Sequence, residues 1–71
     1  MSKWILVMVI CSFESNTCIP PIEYPTQFND AYDCMMTGYQ ESINKTIKIG
    51  REDINKHNIY IKFSCNPTET I

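Results

Sequence analysis

The four cysteines are the residues whose chemistry depends most on their spacing. They are Cys11, Cys18, Cys34 and Cys65, separated by 6, 15 and 30 residues. Zinc ligands normally come in close pairs, and a thioredoxin-like centre needs a C-x-x-C sequence. Neither pattern is present, and His57 is the only histidine. We therefore expect no metal site, and the cysteines indicate either disulfides or buried thiols.

Disulfides are the favoured interpretation, because a chain of 71 residues builds only a small core. Of the three pairings that four cysteines allow, we expect Cys11–Cys18 across a hairpin and Cys34–Cys65 between a helix and the last strand. The same hairpin would place Val7 opposite Ile22. The alternative is four reduced cysteines that pack as small hydrophobic side chains in a cytosolic protein.

No group of side chains has the pattern of a catalytic or cofactor-binding centre. The carboxylates are scattered, and each has an explanation as a surface or helix-capping group. They include Glu14, Glu23, Asp30, Asp33, Glu41, Glu52 and Asp53. No Ser/His/Asp set and no glycine-rich phosphate loop can be assembled. The sequence thus predicts a protein that is not an enzyme and binds no cofactor.

The charge pattern gives no indication of nucleic-acid binding. The formal net charge is -2 and the sequence pI is near 5.1. Five basic residues gather in the second half of the chain, but acidic residues are interspersed among them. These basic residues are Lys45, Lys48, Arg51, Lys56 and Lys62. Such a mixed cluster is typical of a solvated face, whereas nucleic-acid binders present a clustered basic surface.

The N-terminal sequence WILVMVI predicts either a buried strand or an export signal. It is rich in β-branched residues and is followed by the turn-like sequence SFESNT. A signal peptide would need small residues before its cleavage site, and Met8 to Cys11 supply none. A membrane span would need about 20 apolar residues. The strand is the favoured interpretation, and membrane association is not expected.

The whole chain predicts one α+β domain over residues 1–71, in the order β-β-α-β. We expect strands at about 3–11, 18–24 and 58–65, a helix at about 30–49 and a polar tail at 66–71. Asp30 is a good N-cap, and a stripe of Tyr32, Met35 or Met36, Tyr39, Ile43 and Ile47 recurs at helical spacing. The strands should form an antiparallel sheet in the order 2-1-3, with the helix on one face.

A single helix leaves the second face of this sheet uncovered. We expect an exposed apolar face there, formed by Trp4, Leu6, Met8, Ile10, Ile19 and Tyr60. Such a face usually marks an interaction site, and self-association into a dimer is its commonest use. The expected partner is thus a second copy or a host protein. The alternative is that the first strand pairs differently and the face is folded inside.

The chain resembles a group of small proteins of unknown activity encoded by marine bacteriophages. The resemblance lies in the apolar opening into CS, then CIPP, FNDAYDCMMTGY and IYIKFSC, which together span most of the chain. It implies a viral protein made in a bacterial host, and it implies no activity, ligand or site residue.

Two functional hypotheses follow from the sequence. The leading one is a viral interaction module that works without catalysis. The other is an exported or membrane-associated small protein with residues 3–10 as signal or anchor. The missing cleavage site favours the host cytoplasm, whereas disulfides would favour export.

Overall fold

The computed structural model describes residues 3–68 of the chain. In chain order, the elements are β1 (Lys3–Ser12), β2 (Thr17–Cys18), β3 (Ile22–Glu23), α1 (Ala31–Ile49), α2 (Arg51–His57) and β4 (Ile59–Thr68). The α+β class and the antiparallel sheet predicted from the sequence are confirmed. The end of the predicted polar tail, residues 69–71, lies outside the described residues, while residues 66–68 belong to β4.

β1 is the centre of the sheet. β4 pairs with all ten residues of β1, placing Leu6 opposite Cys65 and Met8 opposite Phe63. Because β4 occupies one edge of β1 completely, β2 and β3 must both lie along its other edge. They are two pieces of the single second strand predicted at about 18–24, so the predicted order is also correct.

The second strand is broken by the sequence Ile19-Pro20-Pro21. Cys18 lies opposite Cys11, as predicted, but Ile22 lies opposite Met8 and not opposite Val7. The pairing register therefore shifts by one residue between β2 and β3. Proline has no N–H to donate to a ladder, so the two prolines interrupt the pairing at this point. The predicted Val7–Ile22 pair is therefore wrong.

α1 begins where the sequence indicates. The side chain of Asp30 accepts a hydrogen bond of 2.8 Å from the backbone N–H of Asp33 and caps the helix. Gly50, at φ 95°, ends α1 in a conformation that favours glycine. The chain then forms α2 and turns into β4 at Asn58, which has φ 51°. The prediction of one helix is thus corrected to two.

A small core lies between the sheet and α1. Leu6, Met8 and Cys34 are 0%, 2% and 0% exposed, and they form one cluster. Partly buried side chains surround this cluster: Trp4, Tyr24, Phe28, Ile61, Phe63 and Cys65. α1 contributes only Cys34 and Gly38 as buried residues. The helix therefore approaches the sheet through small residues.

Both predicted disulfides are present. Cys11–Cys18 joins β1 to β2 at the end of the first hairpin, and Cys34–Cys65 joins α1 to β4. Cys65 lies opposite Leu6 on the helix side of the sheet, whereas Cys11 lies at an odd position of β1 and on the opposite face. Each face of the sheet thus carries one of the two disulfides.

Candidate interaction surface

The apolar sheet face predicted as the interaction site is buried at its centre. Leu6 and Met8 lie beneath α1 in the core, and Trp4 packs against them. Ile10 is half-buried, and Ile19 is 45% exposed. Since its central residues are inaccessible, this set cannot serve as an exposed face, and the prediction is wrong.

The error has a physical origin in the composition of β1. This strand is apolar at both odd and even positions, so alternation alone does not indicate which face the helix covers. The register with β4 decides it, because Leu6 and Met8 lie opposite Cys65 and Phe63. Tyr60, included in the predicted face, lies opposite Cys11 and therefore on the other side of the sheet.

The exposed apolar surface is instead on α1. Its large side chains are 45–71% exposed and recur every three or four residues along one side of the helix. We call these residues the α1 stripe: Tyr32, Met35, Met36, Tyr39, Ile43 and Ile47. The sequence identifies this stripe by its periodicity, which is typical of a helix side that faces the core.

The orientation of α1 follows from a second, less conspicuous stripe of small residues. Ala31, Cys34, Gly38 and Ser42 recur at helical spacing and are buried or half-buried. The Cys34–Cys65 disulfide fixes this side against β4, and Gly38 receives the ring of Phe63. Close approach through small residues turns the larger apolar side chains outward. The orientation of α1 could therefore have been predicted from the expected Cys34–Cys65 disulfide together with the spacing of these small residues.

The α1 stripe contacts β4 through Tyr39. Tyr39 packs edge-to-face against Phe63 of β4, with ring centroids 4.9 Å apart. β4 pairs with β1 along one edge, and among residues 3–68 no strand pairs with its other edge. An apolar helix surface and an open strand edge are therefore adjacent.

The remaining surface has little that could perform chemistry. A groove of about 270 Å³ is lined by Val7, Val9, Lys62, Phe63 and Ser64. His57 lies 3.4 Å from Glu14, with both side chains about half exposed. Within the described range 3–68, no three His, Cys, Asp or Glu side chains are grouped as metal ligands would be. The α1 stripe is thus the most distinctive surface.

Comparisons with known proteins give no relative for this chain. No family model matches it, and no curated protein or solved structure matches it significantly. The resemblance to bacteriophage proteins therefore stays a prediction. Over residues 3–68, neither helix has the length and apolar composition that a membrane span requires.

Proposed function

We propose that this protein is a non-catalytic binding module that recognises another protein chain through the α1 stripe. The observation that carries the proposal is the exposure of six large apolar side chains on one side of one helix. In the same molecule, only four hydrophobic side chains of the described residues are buried. Soluble monomers rarely expose contiguous apolar surface of this kind, and it commonly marks a protein interaction site.

The residue types of the stripe also support binding to protein. It combines two tyrosines with two methionines and two isoleucines. Tyrosine and methionine are enriched at protein interfaces, where tyrosine offers a large apolar ring and methionine adapts its shape. No lysine or arginine lies within the stripe, which makes an anionic ligand a poor fit.

The total surface of the molecule points in the same direction. The chain exposes 5325 Å², whereas a compact monomer of 8.3 kDa is expected to expose about 4,600 Å². The excess is of the size that one partner contributes to a standard interface, about 800 Å². Covering the α1 stripe would bring the exposed area towards the usual value.

Site-specific photo-crosslinking in the cell that makes the protein tests this proposal. A benzoylphenylalanine residue replaces Ile43 in the stripe, and in a matched control it replaces Asn44, an exposed neighbour on the same helix. We expect one discrete protein adduct from position 43, lost when Ile47→Glu is added, and none from position 44. Equal labelling at both positions, or no adduct at either, would refute a binding role for the stripe.

The two disulfides favour a second candidate, an exported protein. Disulfides persist in oxidising compartments and are rare in the cytosol. Residues 3–10 form most of the central strand in this fold, so they could not act as a cleaved signal without loss of β1. We infer that any export leaves these residues in the mature chain. This candidate concerns where the protein works and is compatible with binding through α1.

A further inference from the structure

We propose that the partner of the α1 stripe is a second copy of this chain, related by a two-fold axis. In this dimer, the free edge of β4 pairs with β4 of the second copy, and the two α1 stripes pack against each other. The inference rests on the proposed function, because it names the partner of the same surface. It is carried by an open strand edge and an apolar helix stripe that can both pair about one two-fold axis.

The hydrogen bonds of β1 show in which direction the backbone N–H and C=O groups of β4 point. On the β2–β3 edge, Ile19 N–H donates to Ile10 C=O, Tyr24 N–H donates to Leu6 C=O, and Trp4 exchanges two bonds with Phe28. Even-numbered residues of β1 thus bond towards that edge, which leaves its odd-numbered residues to bond with β4.

The free edge of β4 can therefore be assigned residue by residue. The β4 residues opposite odd positions of β1 are even-numbered, and their N–H and C=O groups are used within the sheet. The odd-numbered residues direct theirs away from β1, and no backbone partner for them occurs in the part of the chain described. These residues are Ile59, Ile61, Phe63, Cys65 and Pro67, of which Pro67 offers only its C=O.

Of the symmetric ladders centred on Lys62, Phe63 or Ser64, the one centred on Phe63 is favourable. Centred on Phe63, it places Ile61 opposite Cys65 and Lys62 opposite Ser64, with about six new hydrogen bonds. Centred on Lys62, it would place two lysines directly opposite each other, which is unfavourable. Centred on Ser64, it would place Ile61 opposite Pro67, which has no N–H.

In one antiparallel arrangement of two α1 helices, four of the six stripe residues pair with each other. Tyr32 and Ile47 are equally far from the point between Tyr39 and Gln40, and so are Met36 and Ile43. Two antiparallel α1 helices related at that point would place Tyr32 against Ile47 and Met36 against Ile43. A two-fold interface needs a patch of this self-complementary kind.

The two centres lie at the same height in the molecule. Tyr39 packs on Phe63, and Gly38 lies directly over the same ring. A single two-fold axis beside Phe63 therefore serves both the strand ladder and the helix pair. Nothing in the folding of one chain requires this coincidence.

The spacing and the charges also suit a second copy. α1 contacts both β1 and β4, so its axis lies above this strand pair. Pairing β4 with β4 then separates the two α1 axes by about two strand spacings, roughly 10 Å, which is the usual helix packing distance. The antiparallel arrangement also brings the end of one α1 that carries Asp33 to the end of the other that carries Lys48, so unlike charges occupy the same end of the helix pair.

The test combines sedimentation equilibrium with amide exchange by NMR on the full chain, from micromolar to millimolar concentration. We expect a mass of twice 8.3 kDa at the higher concentration. The amides of Ile61, Phe63 and Cys65 should become protected about tenfold or more as the dimer forms. The amides of Tyr60, Lys62 and Ser64 bond to β1 and serve as internal controls that change little.

A pair of variants separates the helix contact from the strand contact. Ile43→Glu should weaken dimerisation about tenfold or more. Each chain contributes position 43 to the interface, so the dimer would bury two carboxylates. Asn44→Glu, with equal charge, should leave it nearly unchanged. A monomer at millimolar concentration would overturn the inference, and so would a dimer without protection at Ile61, Phe63 and Cys65. In either case, a crosslink from position 43 to a different protein would leave the proposed function standing.

Discussion

At the scale of single residues, Gly38 shows how one missing side chain sets the position of a helix. A Cβ at this position would lie 2.8 Å from Cζ of Phe63 and still closer to two other atoms of the same ring. Both residues lie at the contact between α1 and the sheet, where neither can move freely. This close packing explains a residue that is otherwise unfavourable within a helix.

We expect Gly38→Ala to destabilise the protein by about 1–2 kcal/mol. Alanine gains about 1 kcal/mol in helix propensity, but overpacking against the ring costs about 1–3 kcal/mol and forces the ring or the helix to shift. Urea denaturation followed by circular dichroism measures the change. Asn44→Ala, at an exposed position of the same helix, is the control and should be neutral or stabilising. An increase in stability for Gly38→Ala would show that Phe63 moves aside at no cost.

The pairing of the cysteines could be predicted from single residues, whereas the buried face of β1 could not. Cys11 and Cys18 flank a short turn, so their pairing depends on local geometry alone. Leu6 and Met8 face the helix, whereas Val7 and Val9 face the other way. This choice depends on the register between β1 and β4, which are separated by most of the chain. A shift of one residue in that register would exchange the two faces. Local sequence carries little information about such a distant pairing.

At the scale of elements, the Cys34–Cys65 disulfide decides which side of α1 becomes core. Its position on the small-residue side leaves the more apolar α1 stripe in solvent, contrary to the usual orientation of an amphipathic helix. Periodicity therefore predicted the helix itself, together with its N-cap at Asp30, and failed on its orientation. The break between β2 and β3 was foreseeable from Pro20 and Pro21, although the resulting shift in register was not.

We expect removal of the Cys34–Cys65 disulfide to destabilise the protein more than removal of Cys11–Cys18. The chain-entropy model gives about 3.7 kcal/mol for the first, which closes the longer loop, and about 2.5 kcal/mol for the second. Cys34 is also fully buried, so its replacement loses packing as well. The double variants Cys34→Ala/Cys65→Ala and Cys11→Ala/Cys18→Ala should be compared by urea denaturation without reductant. Equal losses, or the reverse order, would contradict the role given to the α1–β4 disulfide.

At the scale of the whole molecule, the core is too small to hold the fold without covalent help. Leu6, Met8 and Cys34 form the only fully buried cluster among residues 3–68, and Cys11 and Cys18 belong neither to it nor to the side chains that surround it. A domain of this size is expected to gain no more than about 3–5 kcal/mol of net stability from its core. The two disulfides together contribute about 6 kcal/mol in the entropy model, which exceeds that figure.

The reduced protein should therefore be largely unfolded at room temperature. We expect treatment with a phosphine reductant to abolish the near-ultraviolet circular dichroism of the tyrosines and Trp4, and reoxidation to restore it. The oxidised protein without reductant is the control. Since self-association stabilises the folded form by mass action, the loss should be less complete at millimolar than at micromolar concentration if the β4 and α1 surfaces pair as proposed. A reduced protein that stays fully folded even at micromolar concentration would show that packing alone suffices, and the case for an oxidising compartment would be lost with it.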